Sequence, residues 1–463
     1  MPALISSLSE RTAISKVTLT RRALGIGAGA LAAHGLAAAV LRGQPRRQRL
    51  AVVGTGIRGI STWGRDLVER WSDVVDIVGL CDANPGRLEH AHRTIGADCP
   101  TFTEVEPMLD ATRPERLIVC TVDSTHDDMI VAALERGVDV LTEKPLTTDR
   151  VKLDRIVAAA RASKRPIVVA HNYRYAPHRL RIKELLAEGR IGTVTSLDFH
   201  WYLDVRHGAA YFRRWHGKER NSGGLFVHKA CHHFDVVNWW LDTDPEEVYA
   251  QADLRHYGAN GPFRHSHCRP CPHQARCAYY WDITQSPELV ALYVANEHHD
   301  GYLRDGCVYD PAIDIFDHMA AQVRYKNGAL MSYSCTTYSP YEGYRIAFNG
   351  TRGRLEAWIK ESQPWEEPAY DELRLTTSFG ASELIRVPHH EGGHGGGDDR
   401  MRDRLFRTPD APDPHGQGAT LRDGAMAVLV GFAARQSARS GQPVKIGDLT
   451  DLELHAERPR VDI

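Results

Sequence analysis

The sequence predicts an α/β fold in two parts: a parallel sheet covered by helices on both faces, then a large open, mostly antiparallel sheet. Three observations carry this prediction. The 463 residues suffice for two or three domains. From Arg49 onward, short apolar runs alternate with helical patterns, which is typical of a parallel sheet. After about Ala176, apolar and polar residues alternate singly, which is typical of a half-buried antiparallel sheet.

The elements of the first part follow in a regular order. Four apolar strands are predicted, "RLAVVG", "VDIVGLCD", "LIVCTVD" and "VDVLTEKP". Helical patterns separate them, among them "GISTWGRDLVERW" and "HDDMIVAALERG". A helix over Leu153–Ser163 leads to a further strand in "RPIVVAHNYR". This order indicates a domain over residues 46–175.

The second part, residues 176–463, reads as long strands with few helices. The strand patterns are "TVTSLDFHWYL", "HMAAQVRYKNGALMSYSCTTY" and "YRIAFNGTRGRLEAWI". Lys326-Asn327-Gly328 in the second of these is a hairpin signal. The stretch "GATLRDGAMAVLVGFAARQSARSG" predicts a long amphipathic helix. Residues at about 262–310, which carry several cysteines, are expected to form an insertion.

Residues 1–45 have the composition of an export signal and linker. Arg21-Arg22 precede a soft apolar run from Ala23 to Leu41, and Ala37-Ala38-Ala39 offers a small-residue cleavage site. This pattern predicts twin-arginine export to the periplasm or outside the cell, with no stable membrane span after signal removal. A disordered or membrane-anchoring segment is the alternative. Lys plus Arg (57) nearly equals Asp plus Glu (59), which argues against a nucleic-acid partner.

A glycine loop between the first strand and its helix predicts a Rossmann dinucleotide site. Its six residues, which match G-x-G-x-x-G, are Gly54, Thr55, Gly56, Ile57, Arg58 and Gly59. Glycines there let the backbone approach a pyrophosphate at the helix N-terminus. Asp82 closes the second strand and can accept hydrogen bonds from the ribose hydroxyls. Because its charge would repel a 2′-phosphate, NAD is favoured over NADP.

Two further segments place reactive side chains. Lys144, in "TEKP", follows the fourth strand, at the edge where parallel sheets bind ligands. The segment "GGLFVHKACHHFDVVNWWL" holds His228, Lys229 and His232. The two histidines are four residues apart and would share a helix face, which suits either a metal or acid/base chemistry. His233 is expected to point elsewhere, and Asp235 to be buried within a core-packing helix.

Together these motifs resemble the glucose–fructose oxidoreductase/inositol dehydrogenase (Gfo/Idh/MocA) family, in its exported subgroup. The resemblance rests on the glycine loop, "CTVDSTHDDMIVAALERGVDVLTEKPL", "HNYRY", the histidine segment and "NGTRGRLE". It implies hydride transfer between nicotinamide and a sugar or polyol carbinol. It also implies that the cofactor contacts include Thr121, His126, Glu143, Lys144 and Asn172.

The resemblance places the catalytic group of this family on particular residues. Lys144 would touch nicotinamide and substrate, and His232 matches the acid/base histidine. His228 stands where the family usually has an aspartate, so the proton relay departs from the pattern. Lys229 and Tyr173 are expected near the reacting carbinol. This favours acid/base chemistry over a metal at the two histidines.

Substrate contacts are predicted in two segments rich in polar and aromatic side chains. "DVRHGAAYFRRWHGKERNSGG" combines rings and guanidinium forks, which suit sugar rings, hydroxyls and carboxylates. Its candidates are His207, Tyr211, Arg213, Arg214 and Trp215. "GGHGGGD" resembles a segment of the family's NAD-dependent glycosidases and makes His394 a substrate-side candidate. A flexible glycine loop that contains a histidine is the alternative.

Four of the nine cysteines form a metal-like pattern. Cys268-x2-Cys271-x5-Cys277 with Cys307 predicts a structural zinc site, which folding before export would load with metal. Disulfides are the alternative for an exported protein, and His265, His267 and His273 are alternative ligands. Cys81, Cys120 and Cys335 are expected to be small buried hydrophobes.

The sequence thus predicts an exported NAD-dependent oxidoreductase acting on a sugar, glycoside or polyol with tightly held cofactor. A redox-neutral glycosidase is the first alternative: oxidation at C3 acidifies the C2 proton, elimination breaks the glycosidic bond, water adds, and the cofactor is reoxidised on the same sugar. A non-catalytic sugar-binding protein that contains NAD is the second. By analogy with the family, a homo-oligomer is expected, either a dimer or a tetramer.

Overall fold

The computed structural model describes residues 46–459, whose strands form a six-stranded and a nine-stranded sheet. The residues of the predicted export signal lie outside this range. Within it, no helix is long and apolar enough to cross a membrane. The helices are α1 Ile57–Ile60, α2 Asp66–Arg70, α3 Pro85–Ile95, α4 Val105–Thr112, α5 His126–Glu135, α6 Arg150–Ser163, α7 Pro177–Ala187, α8 Val205–Arg213, α9 Glu219–Ser222, α10 Leu225–His228, α11 Ala230–Leu241, α12 Pro287–Leu292, α13 Gly397–Arg402 and α14 Leu421–Ser440.

The first sheet is parallel and has the strand order β3-β2-β1-β4-β5-β6. Its strands are β1 Gln48–Val53, β2 Val75–Cys81, β3 Thr101–Phe102, β4 Arg116–Val119, β5 Asp139–Thr142 and β6 Ile167–Val169. The order reverses between β1 and β4, so the carboxyl ends of these two strands border the crevice where such sheets bind dinucleotides. The predicted Rossmann fold is confirmed, with Gly54 and Asp82 at this edge.

The second sheet has nine strands in the order β14-β13-β12-β11-β7-β10-β9-β8-β15. Its strands are β7 Val194–Asp204, β8 Pro245–Asp253, β9 His318–Tyr325, β10 Leu330–Ser339, β11 Glu342–Gly350, β12 Gly353–Ser362, β13 Tyr370–Thr377, β14 Ser382–Pro388 and β15 Val444–Lys445. Only the β7–β10 pair is parallel among the named strands of this sheet, so the mostly antiparallel prediction holds. The predicted turn joins β9 to β10, with Gly328 at φ +88°.

The helix α14 corrects one expectation. It spans the predicted segment, but residues 421–434 are all buried, so it is not amphipathic over most of its length. It packs against β8 and also against α10 and α11, which leaves most of its length without a solvent-facing side. Close contact requires small residues: a Cβ on Gly431 would lie 2.6 Å from the backbone oxygen of Phe226.

The histidine segment also differs from one continuous helix. α10 ends at His228, Lys229 lies between the helices, and α11 begins at Ala230. α11 is buried from Ala230 to Trp240, as expected for a core helix. Asp235 is fully buried and accepts two hydrogen bonds from Arg174, at 2.8 and 2.6 Å. His233 points away from the predicted site and bonds the hydroxyl of Tyr333 at 2.8 Å.

Candidate active site

The glycine loop has the close packing that its sequence predicts. Gly54 adopts φ +91°, and a Cβ on it would lie 2.5 Å from the carbonyl carbon of Cys120. A Cβ on Gly59 would lie 2.0 Å from the Gly54 oxygen. Only glycine is accommodated at both positions without a shift of the backbone. α1 begins at Ile57, so the helix N-terminus faces the crevice at the switch point.

Asp82 organises the other side of the same crevice. Its Oδ2 accepts hydrogen bonds from the Thr55 backbone N–H at 2.8 Å and from the Thr55 hydroxyl at 3.0 Å. Its Oδ1 accepts one from the Asn84 backbone N–H at 2.8 Å. The carboxylate therefore lies against the glycine loop at the end of β2, where it would meet an adenosine ribose. These residues fit NAD, and the carboxylate disfavours the 2′-phosphate of NADP.

The predicted insertion covers the nucleotide crevice. The Tyr293 hydroxyl accepts a hydrogen bond of 3.3 Å from the Ile57 backbone N–H at the start of α1. Asn84 Nδ2 donates to the Asn296 carbonyl at 2.9 Å, and Arg87 forms an ion pair of 2.6 Å with Asp300. One segment between Cys277 and Cys307 thus packs on both the glycine loop and the region after Asp82.

Two other predicted cofactor residues fix the ends of the strands. The ring of His126 lies between two backbone carbonyls, with Nδ1 2.9 Å from Pro145 O and Nε2 3.3 Å from Thr121 O. The Thr121 hydroxyl accepts a 2.9 Å hydrogen bond from Thr125. Thr121 and His126 therefore hold the ends of β4 and β5 in register.

Arg58 and Glu143 form a charged bridge to the glycine-rich segment. Glu143 accepts from Arg58 Nε at 2.8 Å and Nη2 at 2.6 Å. Arg58 also donates to Asp398 at 3.1 Å, and Asp398 accepts from Asn172 Nδ2 at 2.7 Å. His394 Nδ1 lies 3.0 Å from Asp398. Although burial opposes it, these contacts with His394 and Arg58 hold the pKa of Asp398 well below its usual range.

The segment "GGHGGGD" is therefore docked in the structure rather than a free loop. His394 adopts φ +55°, a left-handed conformation that is uncommon outside glycine. Its ring lies 5.6 Å from the ring of Tyr173 and 6.2 Å from that of His232. The structure thus brings this predicted substrate-side histidine to the predicted catalytic residues.

Lys144, His228 and Asp123 meet at the carboxyl edge of the parallel sheet. Lys144 Nζ donates to the His228 carbonyl at 3.3 Å. His228 Nδ1 lies 2.5 Å from Asp123 Oδ2, and both side chains are almost fully buried. Burial raises the pKa of Asp123, and burial together with the charge of Lys144 lowers the pKa of His228. Burial therefore opposes charge on both members of this carboxylate–imidazole pair.

His232 lies on the other side of this centre and stacks on Tyr173. The two rings are 4.1 Å apart at 11°. The Nδ1 atom of His232 is buried without a hydrogen-bond partner among residues 46–459, which leaves it available to a bound molecule. Burial and the nearby charges of Lys144 and Lys229 lower the pKa of His232 well below its usual value. The imidazole is thus neutral at neutral pH and can accept a proton.

Lys229 and Tyr173 form the floor of this centre. Lys229 Nζ donates to the Tyr173 hydroxyl at 2.9 Å and lies 4.8 Å from the centroid of the Trp201 ring. Burial raises the pKa of Tyr173 well above its ordinary value, so the phenol stays protonated. Lys229 therefore contacts the stacked Tyr173–His232 pair through the Tyr173 hydroxyl.

The paired-histidine metal alternative has no support in the structure. Within the described range, no group of three or more His, Cys, Asp or Glu side chains is placed to hold a metal ion. His228 faces Asp123 and the ring of His216, whereas His232 faces Tyr173. The interruption at Lys229 separates the helices on which the two histidines lie.

Four of the five predicted substrate residues of "DVRHGAAYFRRW" lie around His228. The Tyr211 ring lies 5.3 Å from the His228 ring, and Trp215 lies 5.9 Å from it. His207 bonds Glu342 at 2.8 Å and the Tyr211 hydroxyl at 3.0 Å. The Arg214 guanidinium lies 5.7 Å from the Tyr211 ring centroid.

Arg213 is a correction, because its side chain leaves this site. It donates to Cys268 Sγ at 3.0 Å and to the Tyr279 carbonyl at 2.7 Å. α8 ends at Arg213, and Arg214 is extended, with φ −100° and ψ −177°. The two neighbouring arginines therefore point in different directions, one to the cysteine cluster and one to the active site.

The zinc prediction is not supported by the structure. All nine cysteines are free, and within residues 46–459 neither Cys268, Cys271, Cys277 and Cys307 nor any other group of His, Cys, Asp or Glu is placed to hold a metal ion. These four side chains do line one small cavity of about 20 Å³. The sulfur of Cys268 accepts the hydrogen bond from Arg213, so this cluster is tied to α8 by a guanidinium. Cys81 and Cys335 are buried as expected, whereas Cys120, expected to be buried as well, is only partly buried.

The sequence reasoning missed several residues of the site. Asp123 is the most important, and its signal was present: it follows the third strand directly, at the edge where the sheet binds ligands. His216 lies beside Trp215 in the segment "DVRHGAAYFRRWHGKERNSGG", so its signal was present as well. Glu342, Tyr293 and Arg304 carry no motif. They reach the site through loops and a strand far away in sequence, and the sequence alone holds no signal for these contacts.

Comparisons with known proteins agree with this geometry. Residues 48–171 match the model described as oxidoreductase family, NAD-binding Rossmann fold, and residues 183–446 match that family's C-terminal alpha/beta domain. The chain is 36% identical over 436 residues to the putative oxidoreductase YteT of Bacillus subtilis, which covers 88% of this chain and 99% of that protein. It is 26% identical over 212 residues to the inositol 2-dehydrogenase/D-chiro-inositol 3-dehydrogenase of Lactiplantibacillus plantarum, which covers 44% and 57%.

Solved structures show the same fold. A levoglucosan dehydrogenase in complex with NADH and levoglucosan has a TM-score of 0.63 at 18% identity, over 87% of this chain and all of that one. The aldose-aldose oxidoreductase of Caulobacter crescentus, complexed with glycerol, has a TM-score of 0.59 at 15% identity, over 86% and 100%. At these identities the likeness concerns the fold.

Proposed function

The chain belongs to the Gfo/Idh/MocA family of NAD-dependent oxidoreductases, and on that premise we propose that it transfers hydride between NAD and a carbinol of a sugar, glycoside or polyol. Its relatives include inositol dehydrogenases, whose substrate is a polyol. The single observation that carries the proposal is the meeting of Lys144, His228 and His232 at the edge of the sheet that bears the glycine loop.

The side chains divide the work of oxidation between them. Bound nicotinamide supplies the hydride acceptor. His232, which is neutral because burial and nearby cations lower its pKa, takes the proton of the carbinol hydroxyl. The Lys144 ammonium stabilises the negative charge that develops on the carbinol oxygen. The carbinol thus loses one proton to His232 and one hydride to the cofactor.

The Asp123–His228 pair takes the place of the aspartate that the family usually has at position 228. Asp123 orients the imidazole through Nδ1 at 2.5 Å, so Nε2 is the atom left to face a substrate hydroxyl. A carboxylate, that of Asp123, is thus retained in the site, with the His228 imidazole between it and the substrate. We assign His228 to a hydroxyl next to the reacting carbinol and Asp123 to positioning it.

A redox-neutral glycosidase is the second candidate, and the position of His394 favours it. Its ring lies 6.2 Å from the His232 ring and is held by Asp398 and Asn172. In that reaction the sugar would be oxidised at C3, the acidified C2 proton would be removed as the glycosidic bond breaks, and water would add to the resulting alkene. The hydride taken from C3 would then be returned to it. A second acid/base group beside His232 serves the elimination step.

One experiment separates the two candidates. The purified holoenzyme is offered a panel of polyols, free sugars and methyl glycosides, while NADH absorbance is recorded and products are identified by mass spectrometry. Ketone product with stoichiometric NADH supports the oxidoreductase. Free sugar and methanol without net NADH support the glycosidase. A chain that holds NAD but turns over no member of the panel contradicts both and favours a binding protein.

Cofactor retention, export and homo-oligomerisation belong to the same proposal. The contact of Tyr293 with Ile57 closes the insertion over the nucleotide crevice, which supports a cofactor held through many turnovers. Such a cofactor suits an enzyme that works outside the cytoplasm. Native mass spectrometry of the mature protein measures both retained NAD and the number of subunits.

A further inference from the structure

Two guanidinium groups beside the active site lack a carboxylate partner. Arg214 Nε donates to the Ala210 carbonyl at 2.7 Å, and its terminal amino groups bond to nothing else within residues 46–459. Arg304 Nε is buried and has no hydrogen-bond partner in the same range. Elsewhere in the site, Arg58, Arg174 and Arg179 all pair with acids.

The two arginines occupy one wall of the site. The Arg304 guanidinium lies 4.2 Å from the Tyr293 ring centroid, and the Tyr293 ring lies 5.9 Å from that of Tyr302. Arg214 lies over Tyr211, whose ring is 5.3 Å from His228. The two are near enough that, after burial, the charge of Arg304 is the largest cause that lowers the pKa of Arg214. The buried Tyr302 hydroxyl also lacks a partner among the described residues.

The charges around this wall do not balance. Lys144 has the carboxylates of Asp123 and Glu143 nearby, and Lys229 has that of Glu342. Arg214 and Arg304 form no ion pair within residues 46–459. Partly buried like charges without a counter-ion are costly, and such sites are paired or bind an anion. Two guanidinium forks match the two oxygens of a carboxylate.

We infer that Arg214 and Arg304 bind a carboxylate of the substrate, so that the enzyme acts on a sugar acid or a glycoside of one. The inference rests on the proposed function and names its substrate class. Arg214 is followed directly by Trp215, whose ring stacks on His216 at 3.5 Å, so the anion site adjoins an aromatic surface fit for a sugar ring. The cofactor pyrophosphate is expected at the glycine loop, where α1 begins at Ile57.

The test compares matched acid and neutral sugars on the holoenzyme. The probes are the methyl glycosides of glucuronate and glucose, and of galacturonate and galactose. The kcat/KM is measured from NADH absorbance and from released methanol, so that either proposed reaction is detected. We expect the acid to be preferred, and the preference to fall about 10–100-fold in Arg214→Gln and in Arg304→Gln. Arg304→Lys should keep part of the preference, because it keeps the charge.

The control is Arg206→Gln, which removes an exposed guanidinium from the same helix as Tyr211 and should leave the preference unchanged. Equal kcat/KM values for acid and neutral sugars overturn the inference. Loss of NAD from both arginine variants, with the preference intact, also overturns it and assigns the pair to the pyrophosphate.

A binding measurement tests the carboxylate site independently of the proposed reaction. If no probe is turned over, tryptophan fluorescence titration with glucuronate and galacturonate decides. Binding that is lost in Arg214→Gln and Arg304→Gln supports the anion site even though the proposed reaction has failed for this panel. Binding that is absent, or unchanged in both variants, overturns it.

Discussion

Asp123 Oδ2 lies 2.5 Å from His228 Nδ1, and this contact joins the two halves of the molecule at the reacting centre. Asp123 follows β4 of the parallel sheet, whereas His228 ends α10 beside the large sheet. Because both groups are buried, the orientation of the imidazole depends on this one carboxylate. A shift between the two halves would change the position of the histidine directly.

Asp123→Asn should lower kcat by about 10²-fold while NAD remains bound. The carboxylate favours the protonated imidazole, so its removal lowers the pKa of His228 further below its usual value. Because Nε2 of His228 can accept a hydrogen bond from the substrate hydroxyl only while this imidazole is neutral, the acidic limb of the pH–rate profile should move to lower pH. Asp128→Asn, which changes an exposed carboxylate on α5, is the matched control. A loss of rate without a moved acidic limb would indicate a purely structural role.

His232→Ala and Lys144→Ala should each reduce turnover by about 10²–10⁴-fold. Both groups act on the same carbinol, so the double variant should lose less than the product of the two single losses. Single-turnover reduction of the bound cofactor measures the chemical step, and mass spectrometry of the denatured protein confirms that NAD is present. Full activity in His232→Ala would contradict both proposed reactions.

Asp82→Ala should weaken NAD binding and reduce discrimination against NADP. The change removes the acceptor of the Thr55 N–H and the charge expected at the ribose. The measurement is nucleotide released on denaturation, after exchange against equal NAD and NADP. Asp98→Ala, at an exposed site after α3, should behave as the parent protein. A parent protein that releases only NADP would refute the assignment of Asp82.

Arg174→Leu should destabilise the fold by about 3–5 kcal/mol, because it leaves Asp235 buried without its partner. Arg161→Leu, in the exposed pair with Asp451, should cost about 0–1 kcal/mol. Denaturant unfolding of the two variants checks the difference. Equal decreases in the free energy of unfolding for the two variants would show that the burial of Asp235 does not determine the effect.

The same arginine should govern stability in acid. Arg174 and Arg458 lower the pKa of Asp423 despite its burial. Stability from Asp423 is therefore present above its unfolded pKa of about 4 and is lost as pH falls through the lower folded value. In Arg174→Leu the free energy of unfolding should therefore decrease less as the pH falls. Denaturant unfolding at a series of acidic pH values measures this dependence.

Local patterns in the sequence predicted much of the fold. The parallel strands, the glycine loop and the hairpin at Gly328 each follow from neighbouring residues, because turn chemistry and side-chain period are local properties. The burial of α14 could not be predicted in the same way. Its second packing surface comes from α10 and α11, which lie almost 200 positions earlier in the chain.

The site was predictable where a motif marked it. Lys144, His228 and His232 meet as expected, and His394 joins them. Arg213 and Arg214 show why other site residues could not be predicted. α8 ends at Arg213, and this helix end decides which of the two arginines reaches the site. The sequence alone locates a helix end only to within one or two residues. Arg304 arrives from the insertion, for which no local pattern exists.

The Tyr293–Ile57 contact has a consequence for biosynthesis. The two residues are 236 positions apart, so the ribosome finishes the glycine loop long before it makes the tyrosine that completes the crevice. A nascent chain truncated before Tyr293 would lack this cover over the glycine loop. The crevice can therefore enclose a nucleotide only after the segment with Tyr293 has been synthesised and has folded back onto the start of α1.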